Sequence, residues 1–254
     1  MIVDAHSHLG RMAGYFAPDT SLGGMLALMD AIGIDLAVQM HTSSIMECFE
    51  EAYSASVEAY RLSGKRLAYA LTYHPCYVED SLGWLRRSLR EPGGVAIKIH
   101  PGQHQVFPED PRYELAWELA AEYRVPIIAH SWALSDYNAS QRFATPEHFE
   151  GPVARYPQVN LVLGHAGGRY EGHLAAVDLA RLYPNVYLDL SGDSFSFGLV
   201  EWLVSQVGAE RILFGTDATM FDPRAHLARV LDADVTLGAK ALILGDNACR
   251  LFGL

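Results

Sequence analysis

Cysteine is scarce in this sequence, and the three cysteines that it has are far apart. They are Cys48, Cys76 and Cys249 in a chain of 254 residues. No Cys-x-x-Cys pair is present, which argues against a zinc site built from thiolates. An odd number of separated cysteines is typical of a protein from a reducing compartment, so we expect a cytoplasmic location.

Basic residues are also few, with 19 Lys+Arg against 30 Asp+Glu and a net charge of -11. Phosphate backbones require clustered positive charge, so we expect no nucleic-acid partner. The first residues lack the basic and apolar regions of a signal peptide, and no apolar run is long enough to cross a bilayer. We therefore expect no membrane partner. A small anionic substrate is still allowed, and the sequence leaves homo-oligomerisation open.

Short apolar runs of strand length alternate with segments at helical spacing along the whole chain, which is typical of buried parallel strands joined by helices. The predicted strands are Ile2–His8, Asp35–His41, Leu67–His74, Val95–His100, Pro126–His130, Asn160–His165, Val186–Leu190 and Ile212–Thr216. The predicted helices are Leu22–Ile32, Glu47–Leu62, Asp80–Arg90, Arg112–Tyr123, Pro146–Tyr156, Tyr170–Tyr183, Phe197–Val207, a stretch from Pro223, and Asn247–Phe252.

No glycine-rich phosphate loop follows the first strand. That strand ends in His-Ser-His-Leu-Gly, whereas a doubly wound nucleotide-binding sheet normally carries Gly-x-Gly-x-x-Gly there. Eight strand–helix units in a chain of this length instead predict a single α/β domain over residues 1–254, a distorted (β/α)8 TIM barrel.

Histidines gather at the carboxyl ends of the predicted strands, where barrel enzymes build their active sites. Seven of the 11 histidines are placed this way. They are His6, His8, His41, His74, His100, His130 and His165.

The sharpest part of this pattern is His6-Ser-His8, because residues two apart on a strand share one face. His130 ends strand 5, and Asp217 follows strand 8, which neighbours strand 1 in a closed barrel. Taken singly, the histidines could be hydrogen-bonded core residues, and Asp217 could cap a helix. Together, three imidazoles and a carboxylate predict one divalent metal ion. Zn²⁺ fits this ligand set best, with Mn²⁺ and Fe²⁺ as alternatives.

Other residues at the predicted rim admit more than one interpretation. His165 could be a fifth ligand or an acid/base that does not bind the metal. Lys98 could be a carboxylated bridge to a second metal, a cation for a substrate carboxylate, or a lysine reaching the rim; we favour a substrate or supporting role and one metal. Asp4 could orient a ligand imidazole or pair with a core neighbour. Further candidates for substrate binding, each with a packing or surface alternative, are His100, Trp132, His41, His74 and Arg142.

These residues together resemble the amidohydrolase superfamily, and within it the amidohydrolase-2 group of metal-dependent hydrolases and decarboxylases. The motifs are Asp4–His8, Ala129–Trp132, Gly164–Gly168, Gly215–Asp217 and Leu244–Phe252. The resemblance implies that His6, His8, His130 and Asp217 hold the metal and that His165 is catalytic. Members of the group hydrolyse lactones or amides, decarboxylate aromatic or muconate-like acids, or hydrate double bonds.

From the residues and the resemblance we expect a metal-dependent hydrolase. Its substrate would be a small ester, lactone or amide attacked by a metal-activated water, with Asp217 or His165 taking the proton. The alternative is a non-oxidative decarboxylase using the same site. A TatD-like nuclease is less favoured, because we expect an acidic residue at the end of its strand 4, where Lys98 and His100 stand here. A non-catalytic metal-binding barrel would not need so many titratable groups at the rim.

Overall fold

Eight parallel strands in sequential order form the centre of the molecule in a computed structural model that describes residues 1–254. The strands are β1 (Val3–Leu9), β2 (Leu36–His41), β3 (Leu67–Thr72), β4 (Gly94–Ile99), β5 (Ile127–Ala129), β6 (Leu161–Leu163), β7 (Val186–Asp189) and β8 (Ile212–Leu213). Each strand pairs with the next one, and the segment after β8 returns to β1 through backbone bonds. In these bonds Ala5 N donates to Phe214 O at 2.8 Å and Asp217 N donates to His6 O at 2.8 Å. The sheet is therefore a (β/α)8 TIM barrel, as predicted.

Helices connect the strands, and most of them cover the outside of the barrel. They are α1 (Leu22–Ile32), α2 (Thr42–Ile45), α3 (Phe49–Leu62), α4 (Val78–Ser88), α5 (Pro101–His104), α6 (Glu114–Tyr123), α7 (Glu150–Arg155), α8 (Tyr170–Leu182), α9 (Leu199–Val207), α10 (Pro223–Leu231), α11 (Leu237–Ala241) and α12 (Asn247–Phe252). None of these helices combines the length and the apolar character needed to span a bilayer.

Strand alternation separates the apolar core into two layers. On β4, Ile97 and Ile99 belong to the large buried cluster that packs against the helices, whereas Ala96 belongs to a smaller cluster formed mainly by strand residues. Lys98 shares the parity of Ala96, so its side chain lies on the inner face of the barrel. Ala248 and Phe252 of α12 also join the smaller cluster.

Strands β3 to β8 end one to three residues earlier than the hydrophobic pattern predicts, because the residues after them bend out of the sheet. β6 stops at Leu163, and His165 and Ala166 then adopt left-handed backbone conformations with φ of 62° and 47°. Asp217, after the short strand β8, has a φ of 57°. Non-glycine residues rarely adopt this conformation, and such strain tends to cluster at functional sites.

Two of the differences between the predicted and the observed helices have clear local reasons. The predicted helix Glu47–Leu62 begins at Phe49, because Glu47 has a φ of 66° and cannot continue a right-handed helix. The predicted helix Pro146–Tyr156 is a 3₁₀ turn over Pro146–Phe149 followed by α7.

Candidate metal centre

A cavity of about 320 Å³ opens at the carboxyl ends of the strands. Most of the residues predicted for the site line it. These are His6, His8, Lys98, His100, His130, Trp132, His165 and Asp217. A larger cleft of about 420 Å³ between Leu134 and Leu182 contains no histidine, so the smaller cavity is the candidate site.

The two histidines of β1 present unprotonated nitrogens to one point. His6 Nδ1 lies 2.7 Å from Asp189 Oδ2, and His8 Nδ1 lies 3.1 Å from the carbonyl oxygen of Met40. Both partners are acceptors, so each Nδ1 must carry the hydrogen, and each Nε2 is left with a lone pair. Donation of the second ring N–H to a carboxylate or carbonyl is how metal-bound histidines are usually held.

Asp217 completes this convergence of lone pairs. Its Oδ1 lies 3.2 Å from both His6 Nε2 and His8 Nε2, and it is buried without a hydrogen-bond partner. Burial alone would raise the pKa of Asp217, but the neighbouring histidines hold it well below its usual range, so the carboxylate is charged. A buried, unpartnered carboxylate oxygen facing two imidazole lone pairs is costly, and a cation between them removes that cost. The donor set therefore fits a divalent metal ion.

His165 lies between Asp217 and His130. Its Nδ1 lies 2.9 Å from Ser191 Oγ and 3.6 Å from Asp217 Oδ2, while its Nε2 lies 3.1 Å from His130 Nδ1. Side-chain donor atoms of His6, His165 and Asp217 all lie within 4.8 Å of one another. Burial lowers the pKa of His165 to about 4, so the ring is neutral near pH 7.

His130 reaches the cluster through His165 rather than by direct contact with Asp217. Its Nε2 lies 2.9 Å from Gln141 Oε1. Its ring is nearly parallel to His100 at 4.0 Å and to Trp132 at 6.2 Å between centroids. The structure thus brings His6, His8 and Asp217 together directly and holds His130 beside His165.

Lys98 is a buried cation at the floor of the cavity, 1% exposed. Its Nζ lies 3.3 Å from His6 Nε2, and burial lowers the pKa of Lys98 to about 8. Since an ammonium has three donors, this single contact leaves Lys98 with unused hydrogen-bonding capacity.

Three predicted substrate residues lie outside the cavity lining. His41 Nδ1 accepts from Ser43 N at 3.3 Å, and His74 Nδ1 accepts from Cys76 N at 3.1 Å, so both rings cap turns. Arg142 is exposed, and its guanidinium stacks on Phe143 at 4.7 Å. Their positions do not support contact with a substrate.

Asp189 and Ser191 were not identified from the sequence, although both touch His6 or His165. Asp189 is fully buried at the end of β7. The histidines beside it hold its pKa below the usual range despite the opposing effect of burial. The sequence did contain a signal for Asp189, namely an acidic residue within the apolar run of β7. Asp4, which the sequence suggested for this supporting role, instead accepts bonds from Thr216 and the His6 backbone, and burial raises its pKa to about 8.

Known proteins with a similar sequence or structure agree with this architecture. The family model described as amidohydrolase matches residues 3–254. Protein fluG of Emericella nidulans is 32% identical over 157 residues, which cover 51% of this chain but only 17% of the fungal protein.

Two solved structures match the fold over nearly their whole length. The 5-carboxyvanillate decarboxylase LigW from Sphingomonas paucimobilis has a TM-score of 0.77 at 15% identity, covering 100% of this chain and 99% of that one. A manganese-bound dihydroxybenzoic acid decarboxylase from Polaromonas sp. JS666 has a TM-score of 0.77 at 18% identity, covering 100% and 97%. At these identities the structures show a shared fold, while the family match extends over the chain. The chain belongs to the amidohydrolase family, as an enzyme of its amidohydrolase-2 group.

Proposed function

We propose that this enzyme is a metal-dependent, non-oxidative decarboxylase of a small aromatic carboxylic acid. Lys98 carries the proposal, because it is a buried cation beside the candidate metal ligands and forms no ion pair with an acidic side chain. A buried charge without a partner is unfavourable, and a substrate carboxylate would supply the missing charge.

The walls of the cavity suit a planar substrate. Trp132, Tyr15, Tyr137 and Phe221 provide aromatic surfaces, and the His100 and His130 rings lie parallel to Trp132 or nearly so. Aromatic pairs favour stacked or edge-on contacts. Neutral polar groups on a substrate ring would meet amide side chains from Gln103, Asn138 and Gln141.

The candidate ligands of the metal are His6, His8, His130 and Asp217, with His165 outside the ligand set. A bound divalent ion would polarise substrate oxygens and offset negative charge in the site. The sequence favours zinc, but two structural neighbours hold manganese, so Mn²⁺ is our first choice for reconstitution. Zn²⁺ and Fe²⁺ are the alternatives.

The chain's own residues would act as follows. Lys98 binds the substrate carboxylate by charge-assisted hydrogen bonds. The approaching anion raises the proton affinity of His165, because an opposite charge favours the imidazolium form. His165 then takes up a proton from water on Nε2 and delivers it to the ring carbon that bears the carboxylate. The bond from that carbon to the carboxylate breaks, its electron pair restores the aromatic ring, and CO₂ leaves.

Decarboxylation is favoured here over the hydrolysis expected from the sequence. Both reactions could use the same metal ligands, but hydrolysis gives no specific role to Lys98 as a carboxylate partner. The dihydroxybenzoate and carboxyvanillate decarboxylases among the structural neighbours also support the lyase.

The test is a screen of the Mn²⁺-loaded enzyme against hydroxylated benzoic acids, lactones and amides. We expect CO₂ release from an aromatic acid, measured with a coupled bicarbonate assay. His165→Asn should keep its metal and lose turnover by about 10²–10⁴-fold, the usual contribution of acid–base catalysis. Lactone or amide hydrolysis without CO₂ release from any acid would overturn the proposal in favour of a hydrolase.

A further inference from the structure

Ser191 occupies a central position between the two histidines of the site, yet neither the motifs nor the proposed metal ligands include it. It is fully buried on the segment that follows β7. Its hydroxyl lies 2.9 Å from His165 Nδ1 and 3.2 Å from His6 Nδ1, and it makes a short contact with Asp189 Oδ1.

The proton in the contact between Ser191 and Asp189 belongs to the serine. Asp189 already accepts from Ser191 N at 2.9 Å, His165 N at 3.0 Å and the His6 ring at 2.7 Å. This set of donors favours the ionised carboxylate, which can only accept. The serine hydroxyl has one proton and gives it to Asp189, so towards His165 it can act only as an acceptor.

This accounting determines the hydrogen on the His165 ring. His165 must carry its hydrogen on Nδ1 in order to donate to Ser191, which leaves its Nε2 with a lone pair. His130 donates from Nε2 to Gln141 Oε1 at 2.9 Å, so its Nδ1, 3.1 Å from His165 Nε2, also has a lone pair. The His130 nitrogen that faces the site is thus unprotonated, as a metal ligand requires. We propose that Ser191 is a positioning residue that places the ring hydrogen of His165 on Nδ1 and so leaves the lone pair on Nε2.

Packing on the other side keeps the His165 ring against Ser191. Gly192 has a φ of 85°, and a Cβ atom there would lie 2.7 Å from His165 Nδ1. Glycine therefore lets the chain turn close to the ring, so that the serine hydroxyl and the imidazole meet at hydrogen-bond distance. The catalytic part of this inference rests on the proposed function, but the tautomer itself does not.

The tautomer can be read directly by long-range ¹H–¹⁵N correlation of Zn²⁺-loaded enzyme labelled with [¹⁵N]histidine, with the His165 signals assigned from their loss in His165→Asn. We expect the Nδ1–H form in the unsubstituted protein. Ser191→Ala should shift His165 towards the Nε2–H form, and Ser191→Thr, which keeps the hydroxyl, should restore Nδ1–H. Metal content should stay at about one ion per chain in both variants, because Ser191 is not a ligand.

Ser131→Ala is the matched control, since Ser131 is a buried serine that bonds the backbone of the His165 segment at Gly164 O (2.6 Å) and Gly167 N (3.2 Å). We expect it to leave the tautomer unchanged. With a carboxylic acid that the enzyme decarboxylates, Ser191→Ala should lower kcat by about 10–100-fold, with a smaller change in KM. This is the usual cost of losing such a supporting partner.

An Nε2–H tautomer in the unsubstituted protein, or no tautomer change in Ser191→Ala, would overturn the inference whether or not the variant is active. A shifted tautomer with unchanged kcat would support the inference and count instead against proton transfer by His165 in the proposed function.

Discussion

The first four strands of the barrel all carry histidines near their carboxyl ends, yet Nδ1 of these rings meets opposite kinds of partner on the first strand and on the next three. On β1, Nδ1 of His6 and Nδ1 of His8 meet acceptors, a carboxylate and a carbonyl. At the ends of β2, β3 and β4, Nδ1 of His41, His74 and His100 meets backbone N–H groups two or three residues ahead.

The partner of Nδ1 decides what the other nitrogen can do. An acceptor at Nδ1 leaves a lone pair on Nε2, which can bind a metal ion. A backbone donor at Nδ1 places the hydrogen on Nε2, which makes the ring a hydrogen-bond donor and a turn cap. Position at the rim therefore does not distinguish a ligand from a structural histidine, whereas the hydrogen-bond partner does.

The largest effect should come from removing a candidate metal ligand. His6→Ala and Asp217→Ala should each lose bound metal and turnover, because each removes a donor from the convergent set. The barrel should stay folded, since its apolar core lies between the strands and helices. Metal content by mass spectrometry and folding by circular dichroism check both statements. His41→Ala is the comparison and should keep its metal; loss of the ion there would break the distinction.

A smaller effect should follow from changing the Nδ1 partner alone. Asp189→Asn keeps the shape of the side chain but removes the carboxylate that accepts from His6 Nδ1. We expect metal affinity to fall about 10–100-fold, the usual cost of losing such a partner. Competition with a metal-binding dye measures this. Asp110→Asn, which removes a carboxylate paired with Arg112 away from the cavity, should leave the affinity unchanged. Equal affinities for both variants would show that the carboxylate does not orient His6.

The smallest effect should be on stability without any effect on the metal. His74 accepts from Cys76 N and lies 3.4 Å from Glu47, so His74→Ala leaves a backbone donor without its partner. We expect the free energy of unfolding in urea to fall by about 1–3 kcal/mol. His148→Ala, which breaks a more exposed pair with Glu109, should cost about 0–1 kcal/mol. A metal-depleted His74→Ala protein would contradict the assignment of this ring to a turn.

The barrel and the rim could be predicted because both depend on local patterns. Apolar runs at regular spacing give the strands, and strand ends give the rim. The turn caps made by His41 and His74 could also have been predicted from the sequence, since the N–H bound by each ring lies only two residues ahead. The partner of His6 could not, because Asp189 is 183 residues away and only the closed barrel brings the two together.

The nearly parallel rings of His100, His130 and Trp132 beside the site make Trp132 an intrinsic fluorescent reporter. Its indole lies parallel to His130 and 5.4 Å from the His165 ring centroid, with Nε1 bonded to Tyr137 OH at 2.8 Å. Trp132 is the one tryptophan of four that lines the cavity. An excited indole loses emission to a nearby imidazolium far more readily than to a neutral imidazole. Intrinsic fluorescence should therefore follow the arrival of an anion at Lys98 and the charge it induces on His165, without any added label.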